Sequence, residues 1–207
     1  MPVPPLIVGV LLAAGLSSRF GGNKLLARLP DGRLVGEAAC AALRPTVDRL
    51  VVVVRAGSSQ LESCFVSAGA EVYVCPDADR GMGASLAFGI NQCVDADGWL
   101  IALADMPLVA AADALKVVHA LRAGAQIAVP VAGGRRGHPV GFSRRFVSQL
   151  RALDGDMGAR AILAAHPGEI VEIAVSDSGP WHDVDTQADL VAAGEITRRL
   201  TPARAAS

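Results

Sequence analysis

The chain has 207 residues, 52% of them hydrophobic, and sets 19 Lys and Arg against 20 Asp and Glu. That length supports one domain with a substantial core, and the apolar content excludes a disordered chain. The balanced charge creates no overall field toward nucleic acid or anionic lipid, and 4% aromatic residues provide no stacking platform, so a bound polyanion must be small and met locally.

In chain order, MPVPP lacks the basic start and long apolar centre of a signal peptide, and no apolar run reaches the length of a membrane span. Short apolar runs then alternate with segments of helical spacing. LIVGVLLAA (6–14), RLVVVV (49–54), AEVYVC (70–75), GWLIALA (98–104) and AQIAVP (125–130) stay apolar without alternation, as strands buried on both faces do. Between them VGEAACAALR (35–44), SSQLESCFVSAG (58–69), GASLAFGINQCV (83–94) and AADALKVVHALRAG (111–124) fit helices. Ser58 or Ser59 offers an N-cap, and Gly69 and Gly124 stand where helices should stop. This alternation predicts an α/β fold with a mainly parallel central sheet and helices on both faces.

After Pro130 the rhythm changes. GGRRGHPVGFS (133–143) reads as a polar loop leading into a short strand, followed by helical segments at 144–153 and 157–166 and a strand at 169–175. Thr186 and Asp189 have capping-box spacing, which predicts a helix from Thr186 to Gly194; the tail from 195 onward extends it or frays. The chain reads as one domain over 1–207, with a nucleotide part at about 6–110, an acceptor part at about 111–194 and a tail at 195–207. Cys40, Cys64, Cys75 and Cys93 form no C-x-x-C pair and read as small hydrophobes in a reducing compartment, so the expected location is cytoplasmic.

Ligands of open parallel sheets bind beyond the carboxyl ends of the strands, and the chemically active residues fall there. LAAGLSSRFGGNK (12–24) follows the first strand with Gly15, Arg19, Gly21 and Lys24. It is neither a Walker loop nor a G-x-G-x-x-G fingerprint. Its glycines could bring N–H groups to a phosphate, with Arg19 as a fork and Lys24 as a compact charge, or it could be a surface turn with two solvated cations. Asp105 follows a strand free of other charge; such a position serves either a helix cap or a hard ligand for Mg²⁺. Asp183 and Asp185, in D-V-D, lie on one side of an extended backbone and fit capping or metal binding equally. Gly81, Gly83 and Ser85 open a helix whose N–H groups suit a phosphate or the edge of a base, or simply mark a glycine-rich helix entry. Arg135, Arg136 and His138 form a solvated tip or a site for an anionic second substrate. His119 and His166 read as incidental helix residues, whereas His182 gains interest from Asp183 beside it. No serine elbow or Cys–His arrangement is present, which favours catalysis by positioning and charge.

Taken together, the motifs LAAGLSSRFGGNK, GMGASL, ADMP, GRRGHPVGF, GDMGAR and DVDTQADL resemble, in order and over about Leu6 to Gly194, the nucleotidyltransferases that attach a nucleotide to the pterin phosphate of the molybdenum cofactor. Related enzymes usually carry proline before the loop lysine, where this chain has Asn23, and the cytidylyltransferase branch often has serine where this chain has Gly83. The resemblance implies a Rossmann-like nucleotidyltransferase fold, Mg²⁺ dependence and pyrophosphate release. It implies that Gly15, Arg19 and Lys24 hold a nucleoside triphosphate, that Asp105 and Asp185, with Asp183 as a further candidate, hold Mg²⁺, and that Leu12, Ala13, Ala14 and Ser85 border the base. Gly81 joins that nucleotide set. The LAAG form of the loop is the one used with CTP.

On this reading the terminal phosphate of molybdopterin attacks the α-phosphorus of CTP, with Arg19, Lys24 and Asp105 as the catalytic set. Gly137, His138 and Pro139, with Asp156 and Arg160, are expected on the pterin side. The expected recipient is a molybdenum hydroxylase or its maturation factor, without nucleic acid or membrane. Rival readings keep the fold but use GTP or another phosphate acceptor, or make the chain a non-catalytic molybdenum cofactor carrier.

Overall fold

The structure is a computed structural model, and it describes residues 3–17, 19–175 and 181–200, with side chains to 196. Among these, the chain runs β1 (Ile7–Ala13), α1 (Val35–Leu43), β2 (Arg49–Arg55), α2 (Ser59–Ser67), β3 (Glu71–Cys75), α3 (Met82–Asn91), β4 (Gly98–Leu103) and α4 (Ala111–Arg122). It continues with β5 (Ile127–Ala132), β6 (Arg135–Arg136), β7 (Val140–Ser143), α5 (Val147–Arg151), α6 (Arg160–Ala165), β8 (Ile170–Ala174) and α7 (Gln187–Leu200).

Eight strands form one sheet in the order β3-β2-β1-β4-β7-β5-β6, with β8 also paired to β5. The pairs β1–β2, β2–β3, β1–β4 and β5–β8 are parallel; β7 enters antiparallel between β4 and β5. The expected mainly parallel sheet is therefore present. Alternation along β1 explains the two-sided core: Ile7, Leu11 and Ala13 pack with α1, α2 and α4, while Val8, Val10 and Leu12 pack with α3, α5 and α6. Each face thus removes apolar area from water at roughly 25 cal/mol per Å².

Gly69 and Gly124 follow α2 and α4 with positive φ, 78° and 99°, as expected of helix stops. Ser58 takes the N-cap position of α2, but its hydroxyl makes no cap bond. The expected end of the last helix at Gly194 is corrected, because α7 continues to Leu200. Gly194 answers to packing: a Cβ there would stand 2.4 Å from Pro30 Cγ, so this turn of the helix lies directly on the proline ring. Its start matches the expected capping box, with Thr186 N–H donating to Asp189 Oδ2 at 2.7 Å and Asp189 N–H donating to Thr186 Oγ1 at 3.2 Å.

The strand order places a topological switch between β1 and β4. The chain winds outward from β1 to β3, then returns to lay β4 on the other side of β1. Loops leaving the carboxyl ends of these neighbours diverge and open a crevice.

Candidate active site

Two adjoining clefts occupy that crevice. The first, of about 430 Å³, is lined by Leu12, Ala13, Ala14, Gly15, Arg19 and Lys24 from the β1 end, Gly81 and Ser85 from the start of α3, and Asp105, Asp156 and Asp185. The second, of about 550 Å³, receives Gly137, His138, Arg160, Asp183 and Trp181 over an apolar floor. Leu12, Met82, Leu103 and Asp156 line both, so the clefts share a wall. Every residue expected at the nucleotide lines the first. Of those expected at the acceptor, Gly137, His138, Asp156 and Arg160 line the second, whereas Pro139 is buried behind it.

Lys24 is the centre of the first cleft. Asn23 Oδ1 accepts from Leu25 N–H at 3.1 Å and so caps the short 3-10 turn Lys24–Leu26. Lys24 N–H donates to Ser17 Oγ at 3.3 Å, folding the loop back over the lysine stem. The side chain is only 10% exposed, and its Nζ donates to Asp105 Oδ2 at 2.6 Å and to Asp185 Oδ1 at 2.7 Å. Arg19, at the rim, donates to Asp185 Oδ2 at 3.0 Å. Burial lowers the proton affinity of the Lys24 ammonium, but hydrogen bonds and charge from Asp105, then Asp185, outweigh it and hold its pKa above the usual lysine value.

Two local devices bring Asp185 to this cluster across the fold. Val184, buried, donates its N–H to the Asp105 carbonyl at 2.9 Å, and Asp189 Oδ2 accepts from Asp185 N–H at 3.1 Å. The structure parts the carboxylates that the sequence placed on one side: Asp185 lines the first cleft and Asp183 the second. His182 is exposed and lines neither.

Among the described residues the cleft lining carries three cations, Arg19, Lys24 and Arg55, against four carboxylates, Asp79, Asp105, Asp156 and Asp185. A polyphosphate entering this lining needs further positive charge. Asp105 Oδ1 is buried with no hydrogen-bond partner, which is a costly state for a carboxylate oxygen. Hard oxygen donors and an unpartnered carboxylate atom fit a divalent ion held by Asp105 and Asp185.

The start of α3 is partly committed to protein. Gly83 N–H donates to the Gly155 carbonyl at 2.6 Å, and a Cβ on Gly81 or Gly83 would fall 2.4–2.6 Å from atoms of Asp154, Gly155 or Asp156. These glycines let the segment 154–158 lie on the helix end and carry Asp156 into the shared wall. In the second cleft burial lowers the pKa of the His138 imidazole, against the opposing pull of the Ile101 carbonyl and Asp105. Arg136 is spent on Glu172, at 2.9 Å and 3.0 Å.

The MobA-like NTP transferase domain family matches residues 9–170 of this chain. The chain belongs to that family. This MobA-like transferase is 33% identical over 192 residues to the purine catabolism protein PucB of Bacillus subtilis, a match covering 88% of this chain and 93% of PucB. It is 30% identical to nicotine blue oxidoreductase of Paenarthrobacter nicotinovorans, over 88% of this chain and 93% of that protein. The crystal structure of Rv0371c from Mycobacterium tuberculosis superposes with a TM-score of 0.83 at 31% identity, covering 94% of this chain and all of that one. The Rv0371c complex with manganese gives 0.78 at 29%, covering 92% of this chain and 98% of that chain.

Sequence reasoning about this MobA-like transferase missed Arg55. At the end of β2, its Nε donates to the Ala14 carbonyl at 3.0 Å and its Nη1 to Asp79 at 2.8 Å, tying the β1 loop to the turn before α3. The strand-end rule that singled out Asp105 applies equally to Arg55. Trp181 was also missed, since a lone tryptophan outside any apolar run carries no periodic signal.

Proposed function

We propose that this chain transfers CMP from CTP to the terminal phosphate of molybdopterin, yielding the cytosine dinucleotide and pyrophosphate. The observation that carries this reading is the pair of clefts with a shared wall, one of them lined by Arg19, Lys24, Asp105 and Asp185. Two substrates held in adjoining clefts react across their common border, which turns an encounter of two anions into a positioned one. Ala14 in the LAAG loop supports CTP over GTP.

Arg19 and Lys24 bind the triphosphate oxygens, and Arg55 braces the Ala14 backbone beside the base. Gly137, His138, Asp156 and Arg160 hold the pterin side, with Asp183 at that cleft. A phosphate nucleophile is already ionised near neutral pH, so no strong general base is required. Asp105 and Asp185 would hold Mg²⁺, which supplies charge neutralisation for the triphosphate and the departing pyrophosphate. The manganese complex of Rv0371c supports a divalent ion in this family. The product then passes to a molybdenum hydroxylase or its maturation factor.

The test is pyrophosphate release with CTP, GTP and ATP, each with and without purified molybdopterin. Release that requires both CTP and molybdopterin is expected. Preference for GTP moves the chain to a guanylyl donor, and tight molybdopterin binding with no turnover makes it a carrier.

A further inference from the structure

We propose that Lys24 keeps the divalent-ion site closed until a nucleotide phosphate draws its ammonium away, so that metal and nucleotide enter this protein as a coupled pair. The inference rests on Asp105 and Asp185 as the ion's ligands.

Asp105 and Asp185 together carry four carboxylate oxygens. Lys24 Nζ holds Asp105 Oδ2 at 2.6 Å and Asp185 Oδ1 at 2.7 Å. Arg19 holds Asp185 Oδ2 at 3.0 Å, and Asp105 Oδ1 is sealed from solvent. A free ion therefore meets one oxygen sealed from solvent and three that already accept from a cationic side chain. The two cations are unequal locks. Arg19 is 75% exposed, and an ion pair at that exposure is worth little. Lys24 is 10% exposed and spans both carboxylates, and its ammonium would repel an ion sharing their oxygens.

A nucleotide changes the balance. Its phosphate oxygens offer Nζ a second set of acceptors within reach of the same loop, and an ammonium with three donors can exchange a carboxylate for a phosphate. The released oxygens are hard ligands suited to Mg²⁺ or Mn²⁺. Because coupling between two binding events is reciprocal, the ion then raises nucleotide affinity by the factor by which nucleotide raises ion affinity, commonly about 5–150-fold.

The experiment titrates Mn²⁺ into the full chain without nucleotide, following free Mn²⁺ by electron paramagnetic resonance and the melting temperature in parallel. Lys24→Met should bind Mn²⁺ at least about tenfold more tightly than the wild type, and Lys24→Gln, which can still donate to one carboxylate, should show a smaller gain. Arg19→Gln should gain less than Lys24→Met. Equal Mn²⁺ affinity in the wild type and both Lys24 variants overturns the lock while leaving the metal ligands standing. The double variant Lys24→Met/Asp105→Asn separates the two ideas: if it keeps the gain, the ion sits elsewhere and the reading of Asp105 fails.

Discussion

Replacing Gly83 with alanine probes how the two clefts are held together. A Cβ at this position would stand 2.6 Å from the Asp154 carbonyl oxygen, 2.8 Å from its carbon and 2.9 Å from the Gly155 oxygen. All three are backbone atoms, so the segment 154–158 must withdraw by about 0.8 Å to reach an ordinary contact distance. The withdrawal stretches the 2.6 Å hydrogen bond from Gly83 N–H to the Gly155 carbonyl. Overpacking costs about 1–3 kcal/mol and the lost bond about 1 kcal/mol, which for a chain of this size lowers the melting temperature by roughly 5–15 °C. Asp156 and Met157 move with the segment, and Asp156 lines both clefts. Calorimetry and steady-state kinetics with CTP and molybdopterin should therefore show a lower melting temperature, and a rise of about tenfold in the acceptor KM that exceeds any change in the CTP KM. An alanine variant with unchanged melting temperature and unchanged acceptor KM would refute the claim that this segment is seated on α3.

Asp105→Asn should lower pyrophosphate release by about 10²–10³ with little change in far-UV circular dichroism, since it removes one preorganised charge from the reacting centre; near-normal release from the folded variant removes Asp105 from the mechanism. Arg55→Gln should raise the CTP KM about tenfold with kcat nearly unchanged, the scale of one charged hydrogen bond, and Arg55→Lys should recover part of it; an equal loss in kcat would assign Arg55 a different role. Gly194→Ala forces a Cβ to within 2.4 Å of Pro30 Cγ and 2.9 Å of its Cδ, and should destabilise the fold by about 1–3 kcal/mol in urea titration while sparing CTP binding. An unchanged midpoint would show that Gly194 is dispensable for packing α7.

Much of the site could be anticipated because its residues follow strands. Lys24, Asp105 and the glycines at the start of α3 are each announced by an apolar run ending abruptly in charge or glycine. Asp185 is announced by the capping box beside it. Gly194 misled for a reason internal to the chain code: glycine signals both a helix stop and a close approach, and only Pro30, far away in sequence, distinguishes them. Asp183 misled because alternation fixes which side of an extended backbone a residue takes, but not which cavity lies on that side.

By itself the sequence determined the alternation of buried strands and amphipathic helices, the caps, and the inventory of charges at the strand ends. Those are local properties, set by side-chain period, backbone conformation and hydrogen bonds over a few residues. Only the tertiary structure decided that Lys24 stands between Asp105 and Asp185, that Arg55 grips the Ala14 carbonyl, and that one segment walls both clefts. Such contacts join residues as far apart as 161 positions, and they depend on the crossover that sets β4 beside β1. Charge at close range acts over a few ångströms of space, and no local rule of the chain specifies which distant carboxylate will share them.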